Sequence, residues 1–181
     1  MRLLGLSGSL RKASFNTGLL RAAQELVPAG VTLQAETLHG VPLYDADLEA
    51  SEGVPEAVVK LKAALAEADG LLMVTPEYNS GVPGVFKNAI DWMSRPPGGM
   101  ALFKGKPVAI IGASAGGFGT ISAQDHWLPV MKKLGAEVWA GGTLMASRSG
   151  NLFDAEGKLT DEETKKRLAG FLEGFVASIK G

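Results

Sequence analysis

Short apolar runs alternate with longer amphipathic segments five times along the chain, and this alternation limits the folds that are open to it. The runs at 3–6, 70–75 and 106–112 are almost entirely apolar, as expected for strands covered on both faces, and those at 31–37 and 136–140 complete five predicted strands. Amphipathic helices are predicted over 18–27, 56–68, 84–94, about 120–134 and from about 160 onward. Such a pattern indicates a parallel sheet with helices on both faces.

The strand order follows from the same pattern. Five strands and a closing helix fit a flavodoxin-like three-layer sandwich of α/β class, with the parallel order 2-1-3-4-5. In this order the loops after strands 1, 3 and 4, at 8–17, 76–83 and 114–119, meet at the carboxyl edge of the sheet. Residues 39–55 are predicted to form a polar loop, and 141–159 an irregular glycine-rich segment. Residues 1–181 are expected to form one domain.

The amino-acid composition excludes several kinds of catalytic site. The chain has no cysteine, which excludes disulfides, thiol nucleophiles and iron–sulfur ligation. It has only two histidines, so zinc catalysis and a histidine-based triad are poorly supported and no metal site is predicted. We expect His39 to be solvated and His126, beside Trp127 in a helix, to be structural. Redox chemistry would therefore require a bound cofactor.

The charge balance and hydropathy bear on location and partners. A net charge of −1 gives no indication of a nucleic-acid or anionic-membrane partner. No apolar run reaches the roughly 18 residues that a membrane-spanning helix needs. Because the first strand leaves no room for a signal peptide, we predict a cytoplasmic protein.

The first of the three loops combines hydroxyl side chains with one arginine at the start of a helix. Free N–H groups at a helix N-terminus bind anions, and the fork of Arg11 suits phosphate oxygens. Helix capping alone would explain the hydroxyls, but not a cation at the positive end of the helix dipole. The loop lacks the Walker A pattern, and neither it nor 112–119 fits Gly-x-Gly-x-x-Gly. One phosphate cradle with one arginine suits a mononucleotide.

The second loop, 76–84, carries two prolines, a tyrosine and several backbone N–H groups. These features suit the wall of a flavin site, which needs a flat face and donors toward the ring's polar edge. An ordinary turn between a strand and a helix explains them equally well.

Longer motifs resemble a known family. The segments Gly-Ser-Leu-Arg-Lys-Ala-Ser-Phe-Asn at 8–16, Pro-Glu-Tyr-Asn at 76–79, Val-Pro-Gly-Val-Phe-Lys-Asn-Ala-Ile-Asp-Trp at 82–92 and Pro-Leu-Tyr-Asp-Ala-Asp-Leu at 42–48 closely resemble the NADPH-dependent FMN reductases, which include chromate and quinone reductases and azoreductases. The resemblance implies bound FMN, with NADPH or NADH as co-substrate. It also implies ping-pong transfer of hydride from the nicotinamide to FMN and then to quinones, azo compounds, chromate or free flavin.

The resemblance also implies which residues bind FMN. The first loop would hold the phosphate with Ser9, Arg11, Ser14 and Asn16, helped by Thr17, together with the intervening Leu10, Lys12, Ala13 and Phe15. The ring would lie against Pro76, Glu77, Tyr78, Asn79 and Ser80, and the third loop would approach it with Ser114, Gly116 and Gly117. No protein side chain is expected to be catalytic, and Glu77 is expected to shape its loop.

Two positions depart from the family pattern. Ala13 stands where many relatives have glycine, so a positive φ angle there would be strained. Ser80-Gly81 reverses the Gly-Ser order that is frequent in the family, which leaves the side-chain contact there open.

Two other functions remain open from the sequence. A flavodoxin-type electron carrier would share the fold, but such carriers are typically strongly acidic, and the net charge of −1 favours an enzyme. A mononucleotide-binding regulatory domain without redox activity is the third possibility. Family members are usually homodimers or homotetramers, and Phe86, Ile90, Trp92 and Trp127 are candidates for the subunit contact. Arg95 and the following Pro-Pro-Gly-Gly suit either a border of the nicotinamide path or a loop that ends a helix.

Overall fold

Strands and helices alternate along most of the chain in the computed structural model, which describes Met1–Gly181. Two 3-10 turns, Gly99–Leu102 and Ser149–Asn151, supplement the regular elements. The strands and helices, in chain order, are β1 (Arg2–Ser7), α1 (Phe15–Leu26), β2 (Thr32–Thr37), α2 (Ala46–Glu52), α3 (Glu56–Glu67), β3 (Gly70–Val74), α4 (Gly84–Met93), β4 (Pro107–Ala113), α5 (Ile121–Leu134), β5 (Glu137–Val138), β6 (Met145–Ala146) and α6 (Glu162–Lys180).

The sheet is parallel and its strands run in the order β2-β1-β3-β4-β5. This confirms the predicted flavodoxin-like order. β1 lies between β2 and β3, so the chain reverses its direction of winding at β1 and β3. Ligands of such sheets bind at this reversal, outside the carboxyl ends of the strands.

Helices cover both faces of the sheet because successive side chains of the central strands point to opposite faces, and both sets are buried. Leu3 packs in a core of 21 buried residues that includes side chains of α1 and α6. Leu4 and Leu6 pack in a second core of 20 buried residues, with side chains of α3, α4 and α5. Gly5 lets α1 approach closely, since a Cβ there would lie 2.4 Å from Cδ1 of Leu20. None of the helices is both long and apolar enough to cross a bilayer.

The predicted loop at 39–55 was wrong in part, because it contains α2. Asp45 caps this helix by accepting a hydrogen bond from the backbone N–H of Asp47 at 2.9 Å. No residue of α2 is buried, so the helix has no apolar face that a periodicity search would find. The sequence features that indicated a helix here were the capping aspartate and two further acidic residues in the first turn.

The predicted fifth strand and the irregular segment after it also needed correction. β5 pairs with the start of β4, the chain then leaves the sheet, and β6 returns to pair with Gly112 and Ala113 at the other end of β4. The departure begins at Trp139, whose ring packs on Phe171 of α6 with centroids 5.0 Å apart. A Cβ on Gly141 would lie only 2.6 Å from Nε1 of Trp139, so the chain bends around the indole.

The four side chains suggested as a subunit contact, Phe86, Ile90, Trp92 and Trp127, are at most 1% exposed. They belong to the core of one chain, so the suggested surface was wrong. Met93, the neighbour of Trp92 at the end of α4, is also fully buried. Any subunit contact must use other residues.

We expect Leu65→Ala to lower the free energy of unfolding by about 2–5 kcal/mol, because Leu65 is fully buried in α3 and its removal leaves a cavity. Val59→Ala in the same helix is the matched control, since Val59 is 50% exposed, and it should change stability by less than about 0.5 kcal/mol. Urea titration of both variants measures the difference. Equal losses would contradict the placement of α3 on the sheet.

Candidate cofactor-binding site

Three loops meet at the carboxyl edge of the sheet and enclose a cleft of about 220 Å³. Loop 1 (residues 8–14) follows β1, loop 2 (75–83) follows β3, and loop 3 (114–120) follows β4. The cleft is lined by residues of all three loops and of the elements beside them: Ser9, Arg11, Ser14, Phe15, Asn16, Pro76, Glu77, Tyr78, Ala113, Ser114 and Ala115.

Loop 1 holds a row of backbone donors that the protein does not use. The Oγ atom of Ser14 caps α1 by accepting from the N–H of Thr17 at 3.3 Å, and Oγ of Ser9 accepts from the N–H of Arg11 at 3.3 Å. The Arg11 guanidinium lies 6.0 Å from the centroid of the Phe15 ring and has no carboxylate partner. The N–H groups that donate no hydrogen bond within the protein are those of Ser9, Leu10, Lys12, Ala13, Ser14, Phe15 and Asn16.

The side chain of Asn16 joins loop 1 to β4. Its Nδ2 donates to the carbonyl of Ala113 at 2.8 Å, and its Oδ1 accepts from the N–H of the same residue at 2.9 Å. Thr17 is also turned inward, with its Oγ1 2.8 Å from Oγ of Ser7 at the end of β1. The side chains of Asn16 and Thr17 therefore fix the loop to the ends of β4 and β1. Nothing in the sequence indicated that Ala113 and Ser7 would be their partners.

Loop 1 also contacts loop 2 directly at Gly8. A Cβ on Gly8 would lie 2.3 Å from Cδ1 of Phe86 and 2.9 Å from Cδ of Pro76. Only glycine lets the two loops approach this closely.

A hairpin turn shapes loop 2. Tyr78 and Gly81 exchange two backbone hydrogen bonds of 3.1 Å, and the two residues between them, Asn79 and Ser80, both have positive φ angles, 51° and 59°. Two successive positive φ angles are typical of a type I′ turn, in which glycine is favoured. Ser80 is exposed at the tip of this turn.

The carboxylate of Glu77 fixes loop 2 to α5. Its Oε2 accepts a hydrogen bond from the N–H of Ala123, in the first turn of the helix, at 3.0 Å. Glu77 is the one acidic side chain that lines the cleft, and this bond agrees with the loop-shaping role predicted for it.

Loop 3 is closed on itself and tied to β6. The hydroxyl of Ser114 donates to the carbonyl of Gly119 at 2.6 Å, and the N–H of Ser114 donates to the carbonyl of Ala146 at 2.9 Å. The carbonyl of Gly116 accepts from the N–H of Arg148 at 2.9 Å. Gly116 and Gly117 are exposed between these anchors.

A segment that the sequence analysis missed packs against loop 1. The ring of Phe153 lies 5.1 Å from that of Phe15, and Gly157 sits beside Ala13 and Gly18. A Cβ on Gly18 would lie 1.8 Å from the carbonyl oxygen of Gly157, so this position needs glycine. Ala13 has no positive φ angle, and alanine is therefore unstrained there.

The remaining family motif residues form a brace away from the cleft. The carbonyl of Pro42 accepts hydrogen bonds from Nδ2 of Asn88 at 2.8 Å and from Nε1 of Trp92 at 3.0 Å. The hydroxyl of Tyr44 donates to Glu49, and this bond raises the pKa of Tyr44. Arg95 pairs with Glu49 at 2.9 Å, so its side chain is part of this brace and does not line the cleft.

Both histidines lie beside cleft loops. His39 is exposed, as predicted, and its Nε2 lies 3.2 Å from the carbonyl of Leu10. His126 is exposed next to Gly81, so it is not a core residue like its neighbour Trp127.

We expect Asn16→Ala to lower the free energy of unfolding by about 1–3 kcal/mol, because it leaves the buried N–H and carbonyl of Ala113 without partners. Asn151→Ala is the control, since Asn151 is exposed. Denaturant titration of the protein without added cofactor compares the two variants. Equal stability would show that the link between loop 1 and β4 contributes nothing.

We expect Ser80→Gly to raise the free energy of unfolding by about 1 kcal/mol or less, because it relieves the left-handed conformation of Ser80. Asn79→Gly should change stability less, since asparagine tolerates this conformation better than serine. Thermal unfolding followed by circular dichroism measures both. A destabilised Ser80→Gly variant would contradict the turn geometry.

Known proteins share this sequence and fold. A family model described as NADPH-dependent FMN reductase matches residues 1–151. An NAD(P)H-dependent FMN reductase of Pseudomonas aeruginosa is 44% identical over 168 residues, which cover 93% of this chain and 89% of that protein. A 2-hydroxy-1,4-benzoquinone reductase of a Burkholderia species is 38% identical over 99% of this chain and 97% of its own length.

A solved structure agrees with these matches. FerB, a flavoenzyme NAD(P)H:(acceptor) oxidoreductase from Paracoccus denitrificans, superposes with a TM-score of 0.84 at 37% identity, covering 99% of this chain and 97% of that one. These matches thus confirm, over almost the whole chain, the family resemblance that the loop motifs indicated. The chain belongs to the NADPH-dependent FMN reductase family and is an oxidoreductase.

Proposed function

We propose that this oxidoreductase binds FMN in the cleft and uses NADPH or NADH to reduce quinones. The observation that carries the proposal is the row of unused N–H donors in loop 1, beside an arginine that has no carboxylate partner. Buried or half-buried donors without partners are costly, and a phosphate at this helix N-terminus would satisfy them. The names of the relatives, FMN reductase and benzoquinone reductase, support the same cofactor and acceptor class.

Loop 1 would hold the phosphate mainly through its backbone. The N–H groups of Ser14, Phe15 and Asn16 belong to the first turn of α1 or its cap and favour an anion. The hydroxyls of Ser9 and Ser14 and the guanidinium of Arg11 line the same part of the cleft. Asn16 and Thr17 would act less through their side chains, which bind Ala113 and Ser7, than by keeping these donors in place.

Loops 2 and 3 would hold the flavin ring. The buried Pro76 and half-exposed Tyr78 offer apolar surface at the cleft wall. The N–H groups of Glu77, Asn79, Ala115, Gly116 and Gly117 donate no hydrogen bond within the protein. Donors placed along the polar edge of a flavin stabilise the negative charge of its reduced form.

The protein's task in this proposal is positioning. FMN held by the three loops would supply the redox chemistry, which is hydride transfer from the nicotinamide and then to the acceptor in a separate half-reaction, and we therefore expect ping-pong kinetics. The one carboxylate in the cleft, on Glu77, is engaged by the N–H of Ala123, so no side chain needs to act as acid or base.

Anaerobic mixing of the FMN-loaded protein with NADPH, and separately with NADH, tests the proposal. Rapid loss of flavin absorbance, followed by its return on addition of a quinone, is the expected result. A flavin that neither nucleotide bleaches would instead indicate an electron carrier of flavodoxin type. A protein that binds no flavin would indicate a regulatory domain.

We expect Arg11→Ala to weaken FMN binding by about 1.5–3 kcal/mol, roughly 10- to 150-fold in Kd, since it removes one hydrogen bond to a charged group. Arg21→Ala is the matched control, because Arg21 is an exposed arginine on α1 that does not line the cleft. Titration of the protein with FMN, followed by quenching of flavin fluorescence, measures both. Unchanged FMN affinity in Arg11→Ala would contradict the phosphate assignment.

A further inference from the structure

The edge of the sheet beside β4 has a gap at Ile110. β5 pairs with β4 as far as Val108, and β6 resumes the pairing only at Gly112. Alternate residues of a strand direct their N–H and C=O groups to opposite neighbours. The carbonyl of Ile111 accepts from the N–H of Thr75 on the β3 side, so both backbone groups of Ile110 face the gap. Neither group makes a hydrogen bond to β5 or β6.

A cavity of about 280 Å³ lies over this gap, and we call it the edge cavity. Its first wall is formed by Ile121 and Leu128, which lie two turns apart on α5 and are 48% and 44% exposed. Val138 at the end of β5 and Met145 at the start of β6 contribute the opposite wall. The edge cavity shares no lining residue with the cleft formed by loops 1, 2 and 3.

The side chain of Gln124 adds a further unused polar group to the edge cavity. Gln124 is 9% exposed, and its Nε2 donates to Oγ1 of Thr120 at 3.0 Å and to the carbonyl of Leu144 at 3.1 Å. Its Oε1 is not fully buried and accepts no hydrogen bond within the protein. The edge cavity therefore combines apolar walls with one free donor and two free acceptors, as small-molecule sites typically do.

These unused groups limit the chemistry of a ligand. The N–H and C=O groups of one extended residue lie side by side, so they match an acceptor and a donor on neighbouring atoms of a ligand. A ring nitrogen beside an exocyclic amino group has this arrangement, and the amino group keeps a second N–H for Oε1 of Gln124. The one charged residue that lines the edge cavity is Asp125, so an anion is disfavoured there.

We propose that the edge cavity is a second binding site for an uncharged heterocycle of the adenine type, in which an amino group stands beside a ring nitrogen. The ring nitrogen accepts from the N–H of Ile110, and the amino group donates to the carbonyl of Ile110 and to Oε1 of Gln124. The inference does not depend on the proposed function, because other residues form the edge cavity.

Titration of the isotope-labelled protein with adenosine, followed through its amide resonances by two-dimensional NMR, tests the inference. Excess FMN is present throughout to occupy the cleft. Adenosine should bind and shift the amide resonance of Ile110, because this N–H gains a hydrogen bond. Absence of adenosine binding, or binding that leaves the Ile110 resonance unmoved, overturns the inference.

Two analogues of adenosine test the polar contacts. Purine riboside has the same rings and sugar without the amino group, and 1-deazaadenosine lacks the ring nitrogen beside that group. Each should have a Kd about tenfold higher than that of adenosine, which corresponds to the loss of one hydrogen bond. Equal Kd values for the three compounds overturn the inference.

A variant of the apolar wall tests the position of the site. Leu128→Ala should raise the Kd of adenosine about fivefold, because it removes apolar surface from the edge cavity. Val59→Ala is the matched control, since Val59 is 50% exposed on α3 and does not line the edge cavity, and it should leave the Kd unchanged. Equal Kd values in the two variants overturn the inference.

A second copy of the chain is the alternative occupant of this edge. If size-exclusion chromatography shows an oligomer that Leu128→Arg dissociates, and adenosine does not bind to the parent protein, the edge cavity is a subunit contact and the inference is overturned.

Discussion

The cleft depends on two hydrogen bonds between the Asn16 side chain and the backbone of Ala113. They join residues 97 positions apart in sequence and connect the start of α1 to the end of β4. Both ends are buried, so either group left alone would carry a desolvation cost. With the contact at Gly8 and the bond from Ala123 to Glu77, this link makes three separate loops into one rigid unit.

Because these contacts fix the three loops, the backbone N–H groups that face the cleft can remain without protein partners. Backbone N–H groups in loops 1 and 3 point to no protein acceptor, although the protein satisfies every buried polar side chain. Folding normally pairs such groups, and a row of unpaired donors is stable only where the surrounding contacts fix the chain. Donors that are already in place lose little entropy when they bind an anion, so the arrangement favours affinity for a charged cofactor.

The sequence predicted the features that arise from local periodicity and from topology. The strand order and the meeting of the loops after β1, β3 and β4 followed from alternation of apolar runs and amphipathic segments. It missed α2, which buries no residue, and the split between β5 and β6, which depends on how the Trp139 ring packs against α6. It identified loop 1 as a candidate anion site but not the inward bond of Asn16, because pairing between distant residues leaves no mark on the local sequence.

Buried aromatic side chains form the floor of the cleft. Phe86 lies directly beneath Gly8 and packs edge-on against Trp127, with ring centroids 5.0 Å apart. Nε1 of Trp127 donates to Oγ1 of Thr75 at 3.0 Å, which fixes the end of β3 where loop 2 begins. Both rings are fully buried, so they make the floor of the cleft stiff. A stiff floor lets the cleft hold a bound ligand in a single position, because the walls above it cannot shift without disturbing the packed core.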